Sequence, residues 1–502
     1  MDLFWNAGEG KTIGGVDLLG LRQVDQDLEA VWVAGVTTIS IRARYLSLLA
    51  WVFAEHYERQ LASDGGSSVF DWDAFKAIVG RLEFITLAAT ALRPEPDTSG
   101  ALGKRNLSPQ LDALKRGESV ALDMEGLALH GTYYGPCRAL GLLQDGPSAQ
   151  RPIRIPQVGQ ELSRARSAAG RGARLVDRVF TGGSLHRDDL TAEGHLFDLD
   201  GLVIDASSGE RAALVGAFRR SPDFRATMTW IFRSVAGAPR SPWELVKQNY
   251  DACTAAAPPS GRIELAFAEL ELRRRVHFAL EVLLAAVKRT LSALEVADLP
   301  EIVRQWEKTD LGQPDSALAP IVGAATWSFA DPLARFVADA GPGSFEKAWI
   351  APRDCWEATP GQQALYALAL LVACERQSRG LRTACRIPDR HGAMEQVFAH
   401  LHEGAGRPLP EVLEGLLREQ VVGRHLEVTL GKMGRGLGCS LRYYPEGSSL
   451  RPLGADVYGG LSALRLPNVF TMLADLGLLL CDDDWRYALT DTGKQLAAEL
   501  DA

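Results

Sequence analysis

The sequence predicts a mainly α fold: a multidomain helical scaffold carrying one or two winged-helix (α+β) modules. Three observations lead there. Apolar residues recur at helical spacing over most of the chain, one helix, hairpin and helix pattern occurs twice, and 502 residues exceed what a single ordinary core holds. At roughly 150 residues per domain, about three domains are expected. Apolar residues make up 46% and charged residues 23%, so most of the chain should fold.

Taken in order, Leu18, Leu19, Val24, Leu28 and Val31 mark a first helix, Ile39 to Gln60 a second and Phe70 to Leu92 a third. Asp71 and Asp73 put carboxylates at the start of the third, where the helix dipole favours them. Pro94, Pro96, Gly100 and Gly103 make Arg93 to Asn106 a linker or long loop. Arg171 to Ser207, rich in Gly, Arg and Asp, reads as irregular. The longest helix is Arg262 to Leu294, with Leu265, Leu270, Val276, Leu280 and Leu284 near helical spacing. Further helices are expected over Gly361 to Gln377 and from Pro410 to about Lys432. The segmentation that results is a helical domain at 1–105, a winged-helix candidate with a basic extension at 106–180, helical domains at 181–311 and 312–409, and a helix plus C-terminal winged helix at 410–502.

The net charge of −9 excludes a generally basic surface, so any nucleic-acid site must be local. Seven scattered cysteines, with no CxxC pair and no zinc spacing, read as thiols of a reducing cytoplasm. The opening MDLFWNAGEGKT has neither the basic start nor the apolar core of a signal peptide. Apolar runs such as Ala364 to Cys374 fall short of the ~18 residues of a membrane span. A cytoplasmic protein with no membrane partner is expected.

The repeated pattern is clearest at the C-terminus. A helix ends at Leu476-Gly477-Leu478, a short strand follows, Asp482-Asp483-Asp484 turns the chain, Trp485 to Leu489 pairs back, and Thr490 caps a final helix containing Gly493. The earlier copy has Leu140-Gly141-Leu142, a turn through Asp145 to Ser148, then Ile153 to Gly159 and Leu162. Charge separates the two. The C-terminal copy carries an acidic tip that repels phosphate and suits a packing or partner-binding role.

The first copy is flanked by Tyr133, Tyr134 and Arg138 before its hairpin, and by Arg151, Arg154, Arg164, Arg166, Arg174 and Arg178 in and after it. These are candidate nucleic-acid contacts, with arginine for phosphate and tyrosine for bases. A second candidate stretch holds Arg424, Lys432, Arg435, Arg442 and Tyr443 among glycines. No metal site, cofactor or catalytic residue is expected. Gly10-Lys11-Thr12 lacks the earlier glycine of a phosphate-binding loop, and His400 and His402 lack a third ligand. Asp198 and Asp200 look like the opening motif of a magnesium-dependent phosphatase, without the alternation of strands and helices that such a site requires. Arg42 and Arg44 stand inside an apolar helix, where charges need carboxylate partners.

The run Ala34-Gly-Val-Thr-Thr-Ile-Ser-Ile-Arg-Ala-Arg-Tyr-Leu-Ser-Leu-Leu-Ala-Trp51 resembles a motif in poorly characterised bacterial proteins of anti-phage defence islands. With the winged-helix pattern, the resemblance implies an accessory component of a defence system, with other subunits of a defence complex as partners; the two basic stretches make the expected role non-enzymatic and DNA-associated. The alternatives are a scaffold that docks partner proteins through its C-terminal winged helix, and a hydrolase centred on Asp198 and Asp200.

Overall fold

A computed structural model describes residues 17–64, 69–204, 209–255, 261–309, 332–336, 358–384, 393–434 and 439–501. Gly10-Lys11-Thr12 and Arg435 lie outside them. The chain is mostly helical with small two-stranded sheets. Its order is α1 (Arg22–Trp32), α2 (Arg44–Asp64), α3 (Trp72–Ala91), α4 (Ser108–Lys115), β1 (Val120–Ala121), α5 (Ala128–Ala139), β2 (Gln144–Asp145), β3 (Ile153–Arg154), α6 (Gln157–Ala169), α7 (Arg174–Thr181), β4 (Ser184–Leu185), α8 (Arg187–Glu193), α9 (Gly201–Ile204), α10 (Gly209–Arg220), α11 (Pro222–Val235), α12 (Pro242–Thr254), α13 (Arg262–Leu294) and α14 (Leu299–Thr309). Later helices span Pro360–Ala384, Ala393–Glu403, Leu409–Leu416, Arg424–Gly434, Leu466–Asp475 and Asp491–Asp501. Strands β5 (Tyr443–Glu446), β6 (Ser449–Pro452), β7 (Leu479–Cys481) and β8 (Tyr487–Leu489) form two hairpins, β5 with β6 and β7 with β8. Among the described residues no helix is long and apolar enough to cross a membrane.

Two compact units result, one of Met1–Leu28 with Val246–Ser462, the other of Glu29–Leu245 with Ala463–Ala502. Neither is contiguous, which a segment-by-segment reading of composition has no means to see. The first is organised around α13, whose residues are buried almost throughout and which packs along Pro360–Ala384. Such burial leaves its ionisable groups no solvent, so they pair. Glu269 binds Arg273 at 2.7 Å, Glu271 binds Arg275 at 2.9 Å, and Glu281 takes Arg22 at 2.7 Å. His277 and Ser462 share the Asp25 carboxylate at 2.8 and 2.7 Å.

In the second unit the repeated pattern is a helix, an antiparallel hairpin and a helix, formed twice. The copies agree bond by bond. Leu142 N–H reaches Cys137 O at 2.8 Å and Leu478 N–H reaches Leu473 O at 2.9 Å, each closing the helix over a left-handed glycine, Gly141 (φ 69°) or Gly477 (φ 60°). Gln144 pairs with Arg154 and Asp145 with Ile153, as Leu480 pairs with Ala488 and Cys481 with Tyr487. The closing helices meet the hairpins through glycine. A Cβ on Gly159 would stand 2.1 Å from Leu142 O, and one on Gly493 would stand 2.1 Å from Leu478 O.

One expectation changes. Over its described part, Arg171 to Ile204, the segment read as irregular holds α7, α8 and α9, each too short to show periodicity: α7 buries only Leu175 and Val179, and α8 only Leu190. Of the two alternatives for Arg93 to Asn106, it is the long loop, and a fitted one, since Arg42 Nη1 donates to Ser99 O at 3.3 Å and Leu102 N–H donates to the Tyr45 hydroxyl at 3.0 Å.

Because the two closing glycines occupy equivalent positions, Gly159→Ala and Gly493→Ala should each lower stability by about 1–3 kcal/mol in urea unfolding. Gly216→Ala, in α10 with open space around its Cβ position, should be neutral or stabilise by up to about 1 kcal/mol.

Candidate nucleic-acid interface

The hairpin of the first copy is held against α2 by one tyrosine. The Tyr57 hydroxyl donates to Ile153 O at 2.9 Å and accepts from Ile153 N–H at 3.2 Å, satisfying both backbone groups of a buried strand residue. Phe70 N–H donates to Ala149 O at 3.3 Å and ties down the loop. Asp145, at the hairpin base, takes the Tyr134 hydroxyl at 2.5 Å and Arg138 at 3.0 Å from α5. Burial raises the Tyr57 phenol above its ordinary value, against the pull of Ile153 N–H and the positive charge of Arg151.

Between α2, this hairpin and α6 lies a groove of ≈ 820 Å³. Arg151, Arg154 and Arg164 line it, all three exposed. Arg151 and Arg154 make no ion pair among the described residues, and Arg164 bonds Gln160 at 3.4 Å and acts on the Glu161 carboxyl through its charge. Glu58 and Asp145 are the carboxylates of the lining, and Asp145 already holds Arg138. Tyr57, Gln60, Gln160 and Ser163 also face the groove and escaped the sequence reading, because nothing in their spacing distinguishes a groove wall from a solvated helix face.

The other expected contacts divide by burial. Tyr133 is fully buried and its hydroxyl accepts Arg42 N–H at 2.9 Å, so it offers no ring to a base. Arg166 is 1% exposed. It faces the core because α6 buries Gly159, Leu162, Ser163 and Arg166 as one stripe, and its guanidinium lies over Phe197 and Trp51 with Glu210 3.7 Å away. Burial pulls Arg166 down to about 10, against the attraction of Glu210. Arg178 is half-buried and bonded to Asp189 and Ser184 O, while Arg174 projects into solvent.

The second expected stretch lies in the other unit and is mostly structural. Tyr443 is buried with its ring 4.9 Å from His425, and Lys432 is half-buried and donates to Asp17 O. Arg424 reaches Gln396 at 3.4 Å, and burial lowers the half-buried Arg442.

Asp198 and Asp200 belong to an ion network. Arg93 binds Asp198 at 3.0 Å and Asp200 at 2.6 Å, and Arg42 also binds Asp200. Arg42 further donates from Nε to both Asp475 oxygens at 3.1 Å, and Arg44 pairs with Glu210 at 3.2 Å and with two carbonyls. Arg42 and Arg44 therefore have the carboxylate partners that burial of a charge requires, although among the described residues Arg44 Nε and the three guanidinium nitrogens of Arg166 make no hydrogen bond. Burial works against the Arg42 charge, yet Asp475 and Asp200 outweigh it and hold the guanidinium above its usual range. Asp475 is pushed by burial up to about 6, against Arg42 and the Ala43 N–H. Burial also raises Asp198, whereas for Glu210 it is outweighed by Arg44 and Arg166, leaving that carboxyl below the ordinary range. Among the described residues no three His, Cys, Asp or Glu side chains gather as a metal site.

Comparisons with family models, curated proteins and solved structures find no match. The groove is an open cleft lined by three arginines, the amides of Gln60, Gln150 and Gln160, and the ring of Tyr57.

The two classes of arginine should respond differently to removal. Arg42→Met should cost about 3–5 kcal/mol in denaturant unfolding, because it strands buried carboxylates. Arg151→Ala should stay within about 0.5 kcal/mol.

Proposed function

We propose that this protein is a non-enzymatic, nucleic-acid-associated component of a bacterial anti-phage defence system, gripping phosphates in the groove beside its first helix–hairpin–helix copy. One observation carries the reading: Arg151, Arg154 and Arg164 share one exposed groove, and two of them have no carboxylate partner among the described residues. Surface arginines of a protein with net charge −9 are ordinarily neutralised by neighbours, so their convergence supports an anionic ligand. The helix, hairpin and helix order supports a winged-helix module. The likeness of Ala34 to Trp51 to defence-island proteins supports the setting.

A second reading concerns the C-terminal copy, as a docking module for another subunit. Its hairpin exposes Leu480 (68%) and Trp485 (59%) beside Asp482, Asp483 and Asp484. The equivalent of Leu480 in the first copy is Gln144, so the two hairpins present different chemistry at matching positions. Removing the whole copy would be uninformative because Asp475 is part of the core network. Leu480→Ser with Trp485→Ser should instead abolish co-purification of a partner subunit while leaving nucleic-acid affinity unchanged.

For the first reading, fluorescence anisotropy should show affinity falling about twenty- to forty-fold as salt rises from about 50 to 200 mM, the slope expected of three phosphate contacts. Combined Arg151→Glu, Arg154→Glu and Arg164→Glu should weaken binding about tenfold or more without changing the unfolding midpoint. Binding indifferent to both changes would overturn the assignment.

A further inference from the structure

We infer that the groove takes a short stretch of single-stranded nucleic acid in preference to a duplex, an inference that rests on the phosphate-binding reading above. Shape is the first ground. At ≈ 820 Å³ the groove is the size of a site for one small molecule, typically ~300–1,000 Å³. Base reading in a duplex works the other way round, with a protein helix or ribbon entering a major groove about 12 Å wide. A concave cleft has nothing to insert.

The helix in front of the hairpin is the second ground, because a duplex-reading module would present it to the bases. The exposed positions of α5 are Ala128, Gly131, Gly135, Arg138 and Ala139. Four of these five have no side-chain donor or acceptor, and Arg138 is spent on Asp145 at 3.0 Å. Tyr133 and Thr132, on the other side, are buried. The half-buried His130 and Tyr134 stack on each other at 5.0 Å, with the Tyr134 hydroxyl given to Asp145, so the helix offers little to base edges.

The lining of the groove is the third ground. An unstacked strand needs cations for its backbone, a rigid aromatic surface for a base, and amides or hydroxyls for base edges. Arg151, Arg154 and Arg164 supply the first. Tyr57 supplies the second: both hydrogen-bonding capacities of its hydroxyl go to Ile153, which holds the half-buried ring in one place. Gln150 and Gln160 supply the third. A duplex laid across the rim would meet the arginines alone.

Competition anisotropy with oligothymidylate of roughly four and roughly twenty nucleotides, and with a duplex of the longer length, tests the inference. The short strand should compete within about threefold of the long one per binding site, and the duplex about tenfold or more weaker. Tyr57→Leu should weaken single-strand binding about fivefold or more and leave the duplex unaffected, while Tyr57→Phe, which keeps the ring but loses both bonds to Ile153, should fall between Tyr57→Leu and wild type. If duplex and single strand bind equally, both with the salt sensitivity and charge-reversal loss described above, the phosphate reading stands and the single-strand inference falls. If neither binds at low salt, both fall.

Discussion

The second unit depends on Arg42. Its backbone N–H goes to the Tyr133 hydroxyl of the first helix–hairpin–helix copy, and its guanidinium goes to Asp475 of the second copy, Asp200 before α9 and the loop at Asp97 and Ser99. One residue thus joins four stretches that lie from 55 to 433 positions away from it in sequence. Removing such a charge from water costs several kcal/mol, which is recovered only when every partner is in place. The network therefore specifies an arrangement more than it adds stability.

With that centre satisfied, the two copies face outward with different chemistry. They share helix-ending glycines, strand register and a close glycine contact, so their backbones solve one folding problem in one way. Their tips differ. The first loop is two residues longer between its paired strands, carries Arg151, and is pinned to α2 by Tyr57. The second is acidic and leaves Leu480 and Trp485 in solvent. A fold of this kind permits either use, since function resides in the side chains placed on it.

Much of this was legible in the sequence. The 33-residue α13 coincides with its expected limits because its apolar spacing is sustained for many turns, and the repeated pattern shows because glycine is required at two fixed points in each copy. Faces were harder to read. Arg164 and Arg166 stand two residues apart on α6, which turns them to nearly opposite sides of the helix, so one meets the groove and the other the core. Leu162, four residues before Arg166, marks the buried side, a signal that an arginine-rich run obscures. Tyr443 was misplaced for a similar reason: a tyrosine beside glycines and arginines suits a binding loop or the edge of a core equally, and only burial separates them.

The most direct test of a nucleic-acid groove at the first copy is hydrogen–deuterium exchange of the full chain, with and without a saturating single-stranded oligonucleotide at low salt. The account predicts slower exchange confined to the loop 146–152, β3 and the first turns of α6, with β5, β6 and Arg424–Gly434 unchanged. Protection appearing in Arg424–Gly434 or β5 and β6 while 146–164 exchanges as before would contradict it.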